Sequence, residues 1–218
     1  MTRTLANCPA MIFIAYTVPG DAEARGYSPW LVSVDNPFFN AIPGTRHYAN
    51  WRVAQMLKGP MPVWDYLDFQ GLASREDLER VWFNPELDAF RAEWLRLWGY
   101  GARNPSPVLR HSYLTRRVFA RPDHSPGPEI TLRGGTGQVP EGLDADVVFQ
   151  VEGVLKKHFG GTGGRPVDWL TPASAGNPLG LDWLAVTYGP AAADAGPGDV
   201  VMQVDLIAEP AAGSAEPA

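Results

Sequence analysis

His47 lies in an alternating stretch, residues 45–53 (TRHYANWRV). On a strand successive side chains face opposite ways, so His47 shares a face with Ala49, Trp51 and Val53 and points into an apolar space. An apolar wall lowers the pKa of an imidazole and keeps it neutral, able to take a proton near neutral pH. His47 is therefore a candidate general base or acid, against the plainer alternative of a core histidine satisfied by a backbone carbonyl. His111 and Tyr113, two apart, share one face of residues 111–119 (HSYLTRRVF). The pair could share a cavity with His47, where a tyrosine can donate to a developing oxyanion, against the alternative of an edge-strand histidine in solvent. Tyr66 and Asp68 share a face of WDYLDF with Trp64 beside them; a carboxyl in aromatic company has a raised pKa and can act as acid or base, against the plainer alternative that Asp68 faces solvent or caps a turn.

A second group of residues could hold a substrate. Tyr16, Trp30, Trp51 and Trp64 are candidate walls of an aromatic slot. Asp35, followed by Asn36 at a helix break before Pro37, is a candidate polar contact, against the alternative that an Asx residue there satisfies backbone groups. Trp82, Trp94 and Trp98 fall at helical spacing and read as core. The remaining motifs point away from metals and phosphates. The chain has no H-x-x-x-H, C-x-x-C or H-E-x-x-H, and its four His are scattered, so no zinc site is expected. The glycine runs 134–137 and 160–164 lack the Lys-Ser/Thr ending of a phosphate loop, and no G-x-S-x-G elbow occurs. No cofactor is expected.

The elements that must position these residues follow from periodicity. Residues 11–18 (MIFIAYTV) are apolar on both faces and read as a central strand. Ser28–Pro29 opens a helix that Pro37 is expected to break. Residues 45–53 and 64–69 are strands, joined by a turn in KGPMP. Ser74 with Asp77 starts a helix that bends at Asn84–Pro85 and ends at Gly99. Residues 111–119 form a further strand. Residues 121–145 are rich in Pro and Gly and read as a connection. Residues 146–155 (DVVFQVEGVL) and 199–207 (DVVMQVDLI) are strands of nearly the same sequence, with short strands at 169–170 and 182–188 between them. Residues 209–218 read as a disordered tail.

Composition bounds the rest. With 218 residues and 45% hydrophobic content the chain can bury a sizeable core. A net charge of -6 argues against nucleic acid or an anionic membrane as partner, since both are bound through clustered Lys and Arg. The single Cys8 precludes an intramolecular disulfide and suits a reducing, cytoplasmic compartment.

The order strand, helix, strand, strand, helix, strand over residues 10–120, with Ile42-Pro43-Gly44 before a strand bearing His47-Tyr48, resembles the EthD-like branch of the dimeric α/β-barrel superfamily. The helix SREDLERVWFNPELDAFRAEW resembles that branch too. The His-x-Pro typical of the branch is here Asp35-Asn36-Pro37, which puts that position's role in doubt. The resemblance implies an α+β fold: a ferredoxin-like β-α-β-β-α-β lobe over residues 10–120, packed with a second copy as a homodimer. Residues 146–208 would then be a degenerate second lobe or a β-rich extension. Members of the superfamily include cofactor-free oxygenases, cyclases, isomerases and lyases, and some bind haem.

The expected function is a cofactor-independent enzyme of lyase or isomerase/cyclase type, acting by acid–base chemistry on an aromatic or polycyclic hydrophobic small molecule. His47 would be the acid or base and Tyr66 or Tyr113 the orienting donor. The alternatives are a non-catalytic ligand-binding or oligomeric interaction protein, and a haem enzyme with His111 or His124 as axial ligand.

Overall fold

Strand β1 (Ala10–Tyr16) is buried along its whole length because its two faces serve two different layers. Met11, Phe13 and Ala15 belong to one hydrophobic core; Ala10, Ile12, Ile14 and Tyr16 belong to another. This double burial is why the segment shows no apolar–polar alternation. The structure, a computed structural model, describes residues 3–59, 64–99, 110–156, 168–175, 177–190 and 198–210. The KGPMP turn beyond residue 59, the glycine run 160–164 and the tail from residue 211 lie outside the described residues.

Eight further strands follow: β2 (Thr45–Lys58), β3 (Tyr66–Leu72), β4 (Arg110–Ala120), β5 (Glu129–Gly135), β6 (Val147–Leu155), β7 (Leu170–Pro172), β8 (Trp183–Tyr188) and β9 (Val200–Ala208). They pair in the order β4-β1-β3-β2-β9-β5-β8-β6-β7, and β4 also pairs with β6. The strands β4 through β6 thus form a closed eight-stranded antiparallel barrel. The short β7 pairs with the far end of β6, at Gly153–Leu155. A barrel of this size is just filled by side chains. Phe13, Phe69, Trp51, Tyr113, Phe149 and Met202 pack its inside, and Leu5 and Ala6 of the N-terminal turn join the same core.

The two halves of the chain lay down their strands in the same relative order. β4-β1-β3-β2 is fourth, first, third, second, and so is β9-β5-β8-β6. The twin strands, DVVFQV entering β6 and DVVMQV entering β9, are the two that seal the seams: β6 against β4 and β9 against β2. Register shifts gather at those seams, whereas β1–β3, β1–β4, β5–β8 and β5–β9 run without one. Bulges increase strand coiling, which a sheet needs in order to close on itself.

The helices cover the outer face of the first half. α1 (Tyr27–Trp30), a π-helical turn (Leu31–Asp35) and α2 (Asn36–Ala41) run on from one another, and α3 (Leu78–Trp82) and α4 (Glu86–Trp98) follow β3. Pro37 lacks an N–H, and its ring crowds the carbonyl one turn back. The helix therefore widens over Leu31–Asp35 instead of breaking as expected. Tyr27, Leu31, Leu78, Val81 and Trp98 bury against Ile12, Ile14 and Leu114 in the outer core.

The α+β ferredoxin-like lobe of the dimeric α/β-barrel type expected from the sequence is corrected to a mostly-β closed barrel with few helices. Two features account for the difference. An open lobe would leave β2 and β4 as unpaired edges, and here β9 and β6 of the same chain occupy them. In addition, the stretch read as a Pro/Gly-rich connection contains β5, which bridges β9 and β8. Among the described residues no helix is long and apolar enough to cross a membrane.

Candidate functional site

The strand pleat sends alternate residues of β2 outward, away from Ala49 and Trp51 and toward the helices. Tyr48 and Asn50 are those residues, and both are buried. Asn50 is the register partner of Asp68 on β3, and Tyr16 of β1 lies opposite Tyr66 on one side and Arg110 on the other. The widened turn before Pro37 lowers Asp35 onto this face, where it is 4% exposed.

One amide joins the two acids. Nδ2 of Asn50 donates to Oδ2 of Asp35 at 2.8 Å and to Oδ1 of Asp68 at 2.9 Å. Its orientation is set from behind, because Nδ2 of Asn36 donates to Oδ1 of Asn50 at 3.0 Å and Nδ2 of Asn40 donates to Oδ1 of Asn36 at 3.0 Å. The Tyr48 hydroxyl donates to Asp35 at 2.8 Å. A relay of donors runs inward to the other acid. Trp94 Nε1 donates to the Tyr27 hydroxyl (3.3 Å), that hydroxyl to Tyr16 (3.0 Å), and Tyr16 to Asp68 (3.3 Å).

Burial raises both carboxyls, and their environments push them apart. Asp35 rises to about 8, first through desolvation and then through the charge of Asp68. Asp68 rises through desolvation to only about 6, because Asn50, the Arg110 charge and the tyrosine hydroxyls favour its anion. Between those values the coupled pair holds one proton. Two interacting acids with separated ionisations form the arrangement in which one can donate while the other accepts.

Oδ1 of Asp35 and Oδ2 of Asp68 accept no hydrogen bond among the described residues. Both carboxyls line a small cavity of about 30 Å³ walled by Phe39, Phe90, Trp94 and Tyr16, room for about one water or the tip of a ligand. Arg91 and Arg110 line it too, and the same two residues line a larger cavity of about 290 Å³ with His111, Ser112 and Lys156.

Of the residues singled out in the sequence, the structure brings Asp35, Asp68 and Tyr16 together and packs Tyr66 beside them, its ring 5.9 Å from Tyr16. Trp30 stacks on Tyr27 at 6.2 Å, at the margin of this cluster. The expected aromatic slot does not form, because Trp51 and Trp64 lie inside the barrel core while Tyr16 and Trp30 lie outside it. Tyr113 also points inward. His111 is half-buried and lines the larger cavity, and desolvation lowers its pKa. His47 and His111 do not share a cavity. His47 is level with Gly71 and Met11, and His111 with Ala15, four residues further along β1, about 13 Å at strand rise. His124 lies apart, its Nδ1 2.8 Å from the Arg121 carbonyl. The glycine run at 134–137 is not a phosphate cradle: its Thr136 and Gly137 N–H groups donate to the carboxylates of Asp199 and Asp182.

His47 is a core histidine. It is 4% exposed, its Nδ1 lies 3.2 Å from the Arg3 carbonyl, and burial lowers its pKa to about 4. His47→Ala is expected to lower folding stability by about 1–3 kcal/mol through the lost contact and the cavity left behind. Ligand binding at the Asp35–Asp68 site should be unchanged, which chemical denaturation and titration calorimetry on the same variant would check.

Tyr48, Asn50, Arg91 and Arg110 were missed by the sequence reading. The signal for the first two was present in the alternation of residues 45–53, where Arg46, Tyr48, Asn50 and Arg52 form the face opposite His47. No protein-family model, curated protein or solved structure matches the chain.

Proposed function

We propose that the chain is an acid–base enzyme for a small, largely apolar molecule, with Asp68 as base and Asp35 as acid. The observation that carries this reading is the pair of buried carboxyls held by one amide, both lining an aromatic-walled cavity. Burying two acids together costs stability, which a purely structural network avoids with neutral side chains. The chemistry that fits is proton transfer at a carbon beside a carbonyl. The Asp68 carboxylate takes the proton from carbon as Asp35 gives its own to the carbonyl oxygen, forming an enol. Return of a proton from Asp68 to a different atom, with Asp35 recovering its proton from the enol hydroxyl, completes an isomerisation. The dyad begins and ends with one proton.

The test follows deuterium entry from D2O into a panel of aromatic ketones and arylpyruvates, read by NMR. Wild type is expected to catalyse exchange with a rate plateau between the dyad ionisations near about 6 and about 8. Below the first, Asp68 is protonated and cannot accept; above the second, Asp35 has no proton to give. Asp68→Asn is expected to lose about 100-fold or more. Wild-type protein that binds members of the panel without exchanging them would show a binding site in place of a catalytic one.

A further inference from the structure

The larger cavity contains a charge that the acid–base reading does not use. Arg91 of α4 is 8% exposed, its guanidinium lies over the Trp82 ring at 5.5 Å, and its buried Nη1 makes no hydrogen bond among the described residues. Among the described residues its ion-pair partner is Asp88, 3.8 Å away and itself 84% exposed. Arg110, the first residue of β4, lies at the same wall, and its positive charge acts on both Asp35 and Asp68. Arg110 therefore has the dyad as a counter-charge, whereas among the described residues Arg91 has none inside the cavity. Lys156, which also lines the cavity, is already held by Asp168 at 2.8 Å. Burial and the repulsion of Arg110 push the Arg91 guanidinium down to about 9. A guanidinium kept buried beside a second one, with a donor unspent, matches the planar, bidentate recognition of an oxyanion.

We infer that Arg91 and Arg110 form an oxyanion-binding subsite, so that the molecule placed against the dyad carries a carboxylate or phosphate. That the anion belongs to a substrate rests on the acid–base reading above; that the anion binds does not. The geometry sets the layout. The space beside Asp35 and Asp68 admits only a ligand's tip, while the cavity of about 290 Å³ is near the lower end of small-molecule sites. The reacting end would enter the small cavity between Phe90 and Trp94, and the anion would lie on the shared arginine wall with the body of the molecule beyond it. The Ser112 hydroxyl lines the same space as a neutral donor.

The test is titration calorimetry at low salt with three probes, benzoate, phenyl phosphate and the neutral benzyl alcohol, on wild type, Arg91→Met, Arg110→Gln and Asp68→Asn. Wild type and Asp68→Asn are expected to bind one or both anions in preference to benzyl alcohol, and the preferred anion distinguishes carboxylate from phosphate. Arg91→Met and Arg110→Gln are each expected to weaken that binding at least about tenfold, leaving benzyl alcohol unchanged. If Arg91→Met fails to fold by circular dichroism, Arg110→Gln reads the same charge. Absence of anion binding to wild type, equal binding of the neutral probe, or wild-type affinity in both arginine variants would each overturn the subsite. Anion binding with no deuterium exchange in any substrate would overturn the catalytic reading alone. Exchange of an arylpyruvate at an undiminished rate in Arg91→Met would overturn the subsite and leave the dyad standing.

Discussion

Asp35→Asn is expected to be more stable than wild type above pH 7 and to lose proton-transfer activity. In the folded protein the Asp35 carboxyl is raised to about 8 from an ordinary 3.8. The native state therefore holds a proton that the unfolded chain releases. Folding stability is fully present below about pH 3.8 and declines as pH rises toward 8, at about 1.4 kcal/mol per pH unit while one proton separates the states. An amide mimics the protonated acid in shape. Its oxygen can accept from the Tyr48 hydroxyl and Asn50, as Oδ2 of Asp35 does. Removing the ionisation should leave stability near pH 4 unchanged and add about 1–4 kcal/mol at pH 8. His47 works in the opposite direction. Its pKa is lowered to about 4, so its contribution is present above about 6.5 and is lost as pH falls through 4. That term is common to both proteins and cancels in the difference. Urea denaturation of wild type and variant from pH 4 to 9 gives the curve directly. A flat difference would mean that Asp35 is not protonated in the native state near neutral pH, and the assignment of the acid would fall with it.

Asn50→Ala carries the second large effect, in the opposite direction. The Asn50 amide donates to Asp35, to Asp68 and, at 3.1 Å, to the Tyr48 hydroxyl, and it is fully buried. Truncation leaves the two acids facing each other across a void with fewer donors, and it leaves one N–H of the Asn36 amide without its acceptor. Each lost bond to a buried charged or polar group costs about 1–3 kcal/mol, and these losses are not additive within one network. A destabilisation of about 3–5 kcal/mol at pH 7 is expected, measured by urea denaturation. Because Asn50 is foremost among the bonds that favour the Asp68 anion, the lower limb of the pH–rate profile should also move upward. A loss under about 1 kcal/mol with an unmoved limb would show that the amide neither holds nor tunes the acids.

The local pattern of residue types was enough to locate most strands and the helices of the first half. β1 was visible in MIFIA, β2 in the alternation of TRHYANWRV, and β6 and β9 in the twin DVV-x-QV segments, because strand and helix periods are written in neighbouring residues. Glu129–Gly135 escaped notice because a seven-residue strand ending in two glycines, set among prolines, has too little period to read. Asp35 and Asp68 could be named as candidates from their company. Their partnership could not, since Asp68 lies 33 positions beyond Asp35 and the two are joined by the Asn50 amide.

The sequence alone therefore determined most of the strand and helix segments, where Asp35 and Asp68 sit on them, and that His47 shares a face with Ala49 and Trp51. The tertiary structure alone decided what those faces meet. Closure by β6 and β9 turned the His47 face into a packed barrel interior and left the chemistry to the opposite face, where helices bury Tyr48 and Asn50 beside the acids. Both faces of β1 and β3 are buried, so alternation marks two sides without saying which is core and which is site. That choice rests on contacts made far apart along the chain.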